Sequence, residues 1–323
     1  MNKKIVSFVV VGILLVSVLI YSSLSGSIQV SFRELLIGLT QGGHDEVAVI
    51  RDLRLPRIIT AMMAGAALAV SGALLQAVMR NPLADAGIIG ISSGAGFFSV
   101  FVVSFFPTLY FWSPIFAFIG GAIACFLVYS LSWKSGLNPV KLILIGVAIN
   151  AVFSGLSDTF NYRGSYTVTS ISPTTTSTLA MKSWTDVEII LWFGGIGLLA
   201  AFCVGYLCNL LVLQDKTAKG LGISVLRSRL IISAIAVMLA AVSTAVAGLI
   251  AFIGLLVPHM ARQLVGTDYK ILLPFTALAG ALLLLLADTL GRMIIAPNEI
   301  PASIIMAIIG GPFLIILLRR KEL

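Results

Sequence analysis

The sequence predicts an all-α polytopic membrane protein with about ten transmembrane helices. Hydrophobic residues fill 59% of its 323 positions and charged residues only 11%, where a soluble domain has roughly half and a quarter. Mean hydropathy is +1.08, so most of the chain has hydrocarbon as its solvent. The apolar residues also fall into runs near the roughly 20 residues that cross a core about 30 Å thick. Shorter runs suffice where a helix is buried in protein.

The first run, 5–24, follows Lys3 and Lys4 and ends in SSLSGS. No A-x-A-like cleavage site follows, so an uncleaved first span is expected rather than a signal peptide. The second, 56–78, carries Ala61, Gly65 and Ala69 at every fourth position and Gly72 a heptad after Gly65, a small-residue stripe suited to close helix packing. Spans three to five are placed at 88–106, 113–133 and 141–157, and spans six to eight at 189–213, 229–249 and 252–265. The last two are 271–292 and 302–318. Asn81-Pro82 and Pro258-His259 each put a proline in or beside an apolar segment, where it bends or ends a helix. Cys125, Cys203 and Cys208 lie in apolar runs without metal-ligand spacing and read as small core residues. His259 has no second ligand at metal spacing and reads as a packing or capping residue.

Ten spans put both termini on one side, and the basic residues choose that side. With the N-terminus inside, the cytoplasmic set is Lys3, Lys4, Arg80, Lys134, Lys141, Lys216, Lys219, Arg227, Arg229, Arg262, Lys270, Arg319, Arg320 and Lys321. The external set is Arg33, Arg51, Arg54, Arg57, Arg163, Lys182 and Arg292, half as many. Both termini are therefore expected in the cytoplasm, and the net charge of +8 needs no nucleic acid to explain it.

This topology puts the segment LLVLQDKTAKGLGISVLRSRLII, 210–232, on the cytoplasmic side between spans six and seven. Gly220 and Gly222 can break a helix there, which predicts one or two short helices along the membrane surface. The chain has no G-x-x-x-x-G-K-[ST] phosphate loop, and no nucleophile, base or metal cluster converges anywhere. Neither a catalytic residue nor a metal ligand is assigned.

Four blocks resemble permeases of the iron-chelate/cobalamin family of ABC importers: RLPRIITAMMAGAALAVSGALLQAVMRNPLADAGIIGISSGAG (54–96), GLIAFIGLLVPHMARQLVGTDYKILLP (248–274), LLLLLADTLGR (282–292) and EIPASIIMAIIGGPFLIILL (299–318). The resemblance runs from about residue 50 to the C-terminus. It implies the type II importer permease fold, with the whole of 1–323 as one transmembrane permease domain in the cell membrane. It further implies a second permease subunit, identical or a close paralogue, two cytoplasmic ATPase subunits and an extracellular substrate-binding protein or lipoprotein. No cofactor is then bound by this chain, and ATP and Mg sit on the partner ATPase.

Residue by residue, the resemblance makes 214–229 the segment that docks the ATPase, with Lys219, Gly220, Leu221, Gly222 and Arg227 as its coupling residues. Leu221 is the apolar knob and Gly222 the tight turn. Arg54, Arg57 and Arg292 receive carboxylates of the binding protein, a task suited to arginine's planar fork, although interfacial anchoring is their plain alternative and Asp288 could neutralise Arg292 internally. The pathway of related permeases runs along spans five and ten, where Asn150 and Ser154 share a face at i,i+4. Asn138, Pro139 and Val140 in GLNPVK match the cytoplasmic gate.

The chain departs from the family where TTTSTLAMKSW replaces a Trp-x-x-Gly signature, NPLADAGIIG replaces the Glu/Asp-Pro-Gly-Leu-Leu-Gly form, and EIPAS replaces Leu-Pro-Val-Gly. These variants look most like the haem-importing branch of Gram-positive surface iron systems. The expected ligand is haem, with a ferric siderophore or cobalamin as the alternative. An ion-coupled secondary transporter would carry mid-membrane acids, and only Asp288 approaches that description.

Overall fold

The computed structural model describes residues 3–25, 50–132, 139–164, 179–213, 215–220, 222–296 and 298–319. All regular structure among them is helical: α1 (Lys3–Leu24), α2 (Leu55–Met79), α3 (Ile91–Phe105), α4 (Ser113–Ser132), α5 (Pro139–Gly164), α6 (Trp184–Ile189), α7 (Gly195–Cys203), α8 (Gly205–Val212), α9 (Asp215–Gly220), α10 (Val225–Ala247), α11 (Ile253–Val265), α12 (Tyr269–Ile294) and α13 (Ala302–Arg319). Six helical stretches are long and apolar enough to cross a membrane, and shorter apolar helices occupy Ile91–Phe105, Ile143–Thr159 and Ala302–Leu317.

The small-residue stripe decides what sits at the centre. A Cβ on Gly65 would lie 2.3 Å from the Gly280 carbonyl of α12, and one on Gly72 would lie 2.0 Å from the Gly254 carbonyl of α11. Only hydrogen at these positions lets the backbones come so close, so α2 is clasped by α11 and α12. The apolar window of α2 is 83% buried, against 11% for α1. α1 lies against α12, where Phe8 meets Phe275 edge to face at 5.0 Å.

The sixth span starts earlier than its apolar run and is not one helix. Ser183 and Asp186 form a capping box in which the Asp186 carboxylate accepts from the Ser183 N–H and hydroxyl, each at 2.8 Å, so helix begins at Trp184 in a stretch whose polar residues read as loop. Asp186 also accepts from Tyr110 at 2.5 Å and pairs with Lys182 at 3.5 Å. A π-helical turn, Ile190–Gly194, joins α6 to α7, and the rod breaks again at Val204 before α8.

α3 and α11 have 15 and 13 residues, roughly 22 and 20 Å, too short for a core about 30 Å thick. Irregular, largely buried backbone precedes each, in 80–90 and 248–252, and the two stretches meet. The buried Asp85 carboxyl lies near the backbone N–H groups of Ala86, Gly87 and Ile88 and, from the other stretch, of Phe252. Gln76 donates to the carbonyls of Ala84 and Gly254 at 3.3 and 3.1 Å. Helix-free backbone survives there because side chains of the protein satisfy it. Of the two prolines, Pro82 lies beyond the end of α2, whereas Pro258 is inside α11.

Candidate functional site

Both ends of α2 carry polar constellations, separated by 25 helical residues, about 38 Å. At its N-terminal end the three candidate docking arginines come together. Arg57 donates through Nε and Nη2 to the Asp288 carboxylate at 2.8–3.1 Å and through Nη1 to Glu299 at 2.7 Å. Arg292 reaches Asp288 less closely, Nε to Oδ2 at 3.5 Å, and donates through Nη2 to the Ser22 carbonyl at 3.3 Å and to the Ser22 hydroxyl. Arg54 donates to the Ser23 carbonyl at 3.1 Å. The last turn of α1 contains no basic residue of its own, and the arginines of α12 and of the turn before α2 satisfy its orphan carbonyls and negative dipole end.

Asp288 is 1% exposed and Arg54 and Arg57 are 9% exposed, so these arginines are held inside the protein rather than spread along lipid as anchors. Among the described residues, two carboxylates, Asp288 and Glu299, meet the guanidinium groups of this cluster. Its accessible acid is Glu299, whose side chain is 42% exposed. Sequence reading missed Glu299 and Ser22; the available signal was the carboxylate of EIPAS, an unusual charge between apolar runs.

The C-terminal end of α2 is tied to the segment before α9. Arg80 has a left-handed backbone, φ 48°, and donates to the carbonyls of Leu211, at 2.7 Å, and Leu213. Asn209 of α8 donates to Asp268 at 2.6 Å and accepts from the Tyr269 N–H at 2.9 Å, fixing α8 to the start of α12. The Asn209 amide and the Lys270 N–H hold the Asp268 carboxyl below the usual carboxylate range. Arg80, Asn209 and Asp268 thus set where the candidate coupling segment leaves the bundle, and none was singled out from sequence as a site residue.

In that segment α9 is a short helix, as expected, and Gly222 has φ +78° with nothing within 4 Å of a Cβ built on it. Gly220, Gly222 and Arg227 are exposed. Lys219 lies within α9, and Leu221 falls outside the described residues.

Of the gate candidates, Pro139 and Val140 open α5, and Asn138 lies outside the described residues. Asn150 and Ser154 are half-buried on α5. α5 packs on the turn before α3: a Cβ on Gly146 would lie 2.8 Å from Ile89 Cα. His259 of α11 stacks edge to face on Phe313 of α13 at 5.7 Å, and its Nε2 lies 3.1 Å from the Gln263 amide. Cys125 and Cys208 are buried as expected, but Cys203 is exposed, its apolar run notwithstanding.

A bundle of long and broken apolar helices, with polar constellations at the two ends of its buried central helix, defines a polytopic membrane protein. The chain belongs to the FecCD transport family, whose model matches residues 13–320. It is 41% identical over 321 residues, covering 99% of this chain and 98% of the relative, to the "Probable heme-iron transport system permease protein IsdF" of Staphylococcus aureus strain MSSA476, and equally to that of strain Newman. Among solved structures, an inward-facing conformation of a metal-chelate type ABC transporter matches with TM-score 0.80 and 30% identity, covering 99% of this chain and all of that one. The fold alone is shared with PsaBC of Streptococcus pneumoniae, TM-score 0.59 at 16% identity, covering 88% of this chain and 95% of that one. Resemblance and comparisons therefore agree on an ABC importer permease, a transport subunit rather than an enzyme.

Proposed function

We propose that this chain is the membrane subunit through which haem passes from an extracellular binding protein into the cytoplasm, driven by ATP hydrolysed on partner ATPases. The observation that carries the ligand is the 41% identity, end to end, with permeases named for haem-iron transport. The ABC-type mechanism accords with a chain that has no phosphate loop and belongs to a transport family.

The working assembly is two permease subunits, two ATPase subunits carrying ATP and Mg, and the binding protein or lipoprotein outside. The chain acts as one membrane domain with both termini in the cytoplasm, following its basic residues. Arg54, Arg57 and Arg292 form the outer docking cluster. The planar guanidinium forks suit carboxylates of the binding protein, and Glu299 is the internal acid they displace. The stretch 214–229, held out by Arg80 and Asn209, rides on the ATPase through Lys219, Gly220, Leu221, Gly222 and Arg227. Asn150 and Ser154 face the pathway, and Asn138, Pro139 and Val140 close its inner end. A ferric siderophore is the second reading, favoured by the metal-chelate type neighbour at 30% identity.

The test is ATPase stimulation of the purified complex by its binding protein loaded with haem or with a ferric siderophore. Stimulation by the haem-loaded form alone is expected. Stimulation by the siderophore-loaded form alone would overturn the ligand assignment.

A further inference from the structure

The groove between α4 and α10 belongs neither to the docking cluster nor to the pathway, and it has a built polarity. A cavity of about 610 Å³ opens between the two helices. They run antiparallel, so the C-terminal turn of α4 lies beside the N-terminal turns of α10. At this end the groove is lined by Tyr129, Arg229 and Ser233, with the Tyr129 hydroxyl beside both other side chains. Farther along, the walls are Phe118, Ala122, Phe126 and Val237. Phe118 to Tyr129 spans about 16 Å of helix, close to one leaflet of a core about 30 Å thick.

We propose that this groove holds one acyl chain of an anionic phospholipid, with the lipid phosphate at Arg229. Charge complementarity selects the headgroup. Among the described residues no carboxylate lines the groove, Arg227 is exposed two residues from Arg229, and the first turn of α10 bears no acidic residue against its positive dipole end. The apolar walls select a chain over a free anion: a phosphate without a tail gains nothing from Phe118 or Phe126. A basic pocket between membrane helices, polar at the interface and apolar below it, is a recognised form of lipid headgroup site. On the orientation proposed above, it opens to the cytoplasmic leaflet.

The experiment is native mass spectrometry of the full chain in detergent, mixed with phosphatidylglycerol or with phosphatidylcholine of the same acyl chains. The wild type is expected to retain phosphatidylglycerol about fivefold better, the ratio for one basic contact of about 1 kcal/mol. Arg229→Gln is expected to abolish that preference, and Ala122→Trp, which fills the groove, to reduce retention of both lipids. Glycerol phosphate, the headgroup without its tails, is expected not to compete. Equal retention of the two lipids by the wild type would overturn the proposal, and that comparison needs no variant to fold. Full competition by glycerol phosphate, or unchanged retention in both variants, would overturn it as well.

Discussion

Arg57 holds Asp288 across 231 positions of sequence, and it, rather than Arg292 one turn away on the same helix, is the principal partner of that carboxylate. The pair joins the start of α2 to the end of α12, about two helical turns from the glycine contact that brings the two backbones together. Removing one member of a buried pair leaves an uncompensated charge, which costs about 3–5 kcal/mol. Asp288→Ala is therefore expected to lower the unfolding temperature in detergent sharply. Glu299→Gln removes a partner that is 42% exposed and should cost about 1 kcal/mol or less. Equal losses in the two variants would show that burial does not set the strength of this cluster.

The contact of α2 with α11 gives a second prediction. An alanine at Gly72 puts a methyl group 2.0 Å from the Gly254 carbonyl, an overpacking that should cost about 3 kcal/mol or more. An alanine at Gly195 meets nothing within 4 Å and should be neutral or stabilising by up to about 1 kcal/mol. Thermal unfolding of the two variants side by side is the measurement.

Much of this fold was legible in the sequence because the bilayer ruler acts on each run separately: every one of the ten runs contains helix in the structure. The end of an apolar run is not the end of a helix, however. The Ser183–Asp186 cap starts the sixth span in polar sequence, and the partners that tolerate Asp186, Tyr110 and Lys182, include one 76 positions away. The same limit applies to the sites. Arg54, Arg57 and Arg292 were recognisable through family motifs, but their internal partners Glu299 and Ser22 lie 242 and 270 positions from the arginines they meet. Asn209 and Asp268 escaped notice, and Arg80 entered only as one of the basic charges, because each is a single polar residue without periodicity to mark it.

Gly222 tests the coupling segment. Its φ of +78° excludes proline, whose ring fixes φ near −65°, and the space around it is open, so the substitution acts on the path of the chain and not on packing. Gly222→Pro is expected to leave the permease folded and to abolish both co-purification of the ATPase subunit and ATP-driven transport. Full retention of both would reduce the segment to a loop.

The proposed docking role makes opposite predictions for the acid and the base of the arginine cluster. Arg292→Glu should weaken binding-protein docking by a few kcal/mol and make what remains less sensitive to salt, because the screened attraction is gone. Glu299→Gln removes the internal competitor and should tighten docking by about 1 kcal/mol, roughly fivefold. Affinity at low and high salt checks both. A reciprocal Glu→Arg change on the binding protein should rescue Arg292→Glu, and no rescue at Arg54, Arg57 or Arg292 would remove the docking role.

The central claim, a haem importer driven by a partner ATPase, is tested most directly by uptake in proteoliposomes containing the permease and ATPase subunits, with ATP on the ATPase side and haem-loaded binding protein on the other. The account predicts haem accumulation that requires both ATP and the binding protein and persists when ion gradients are collapsed. Uptake driven by an ion gradient without ATP, or ATP-driven uptake of a ferric siderophore with none of haem, would contradict it.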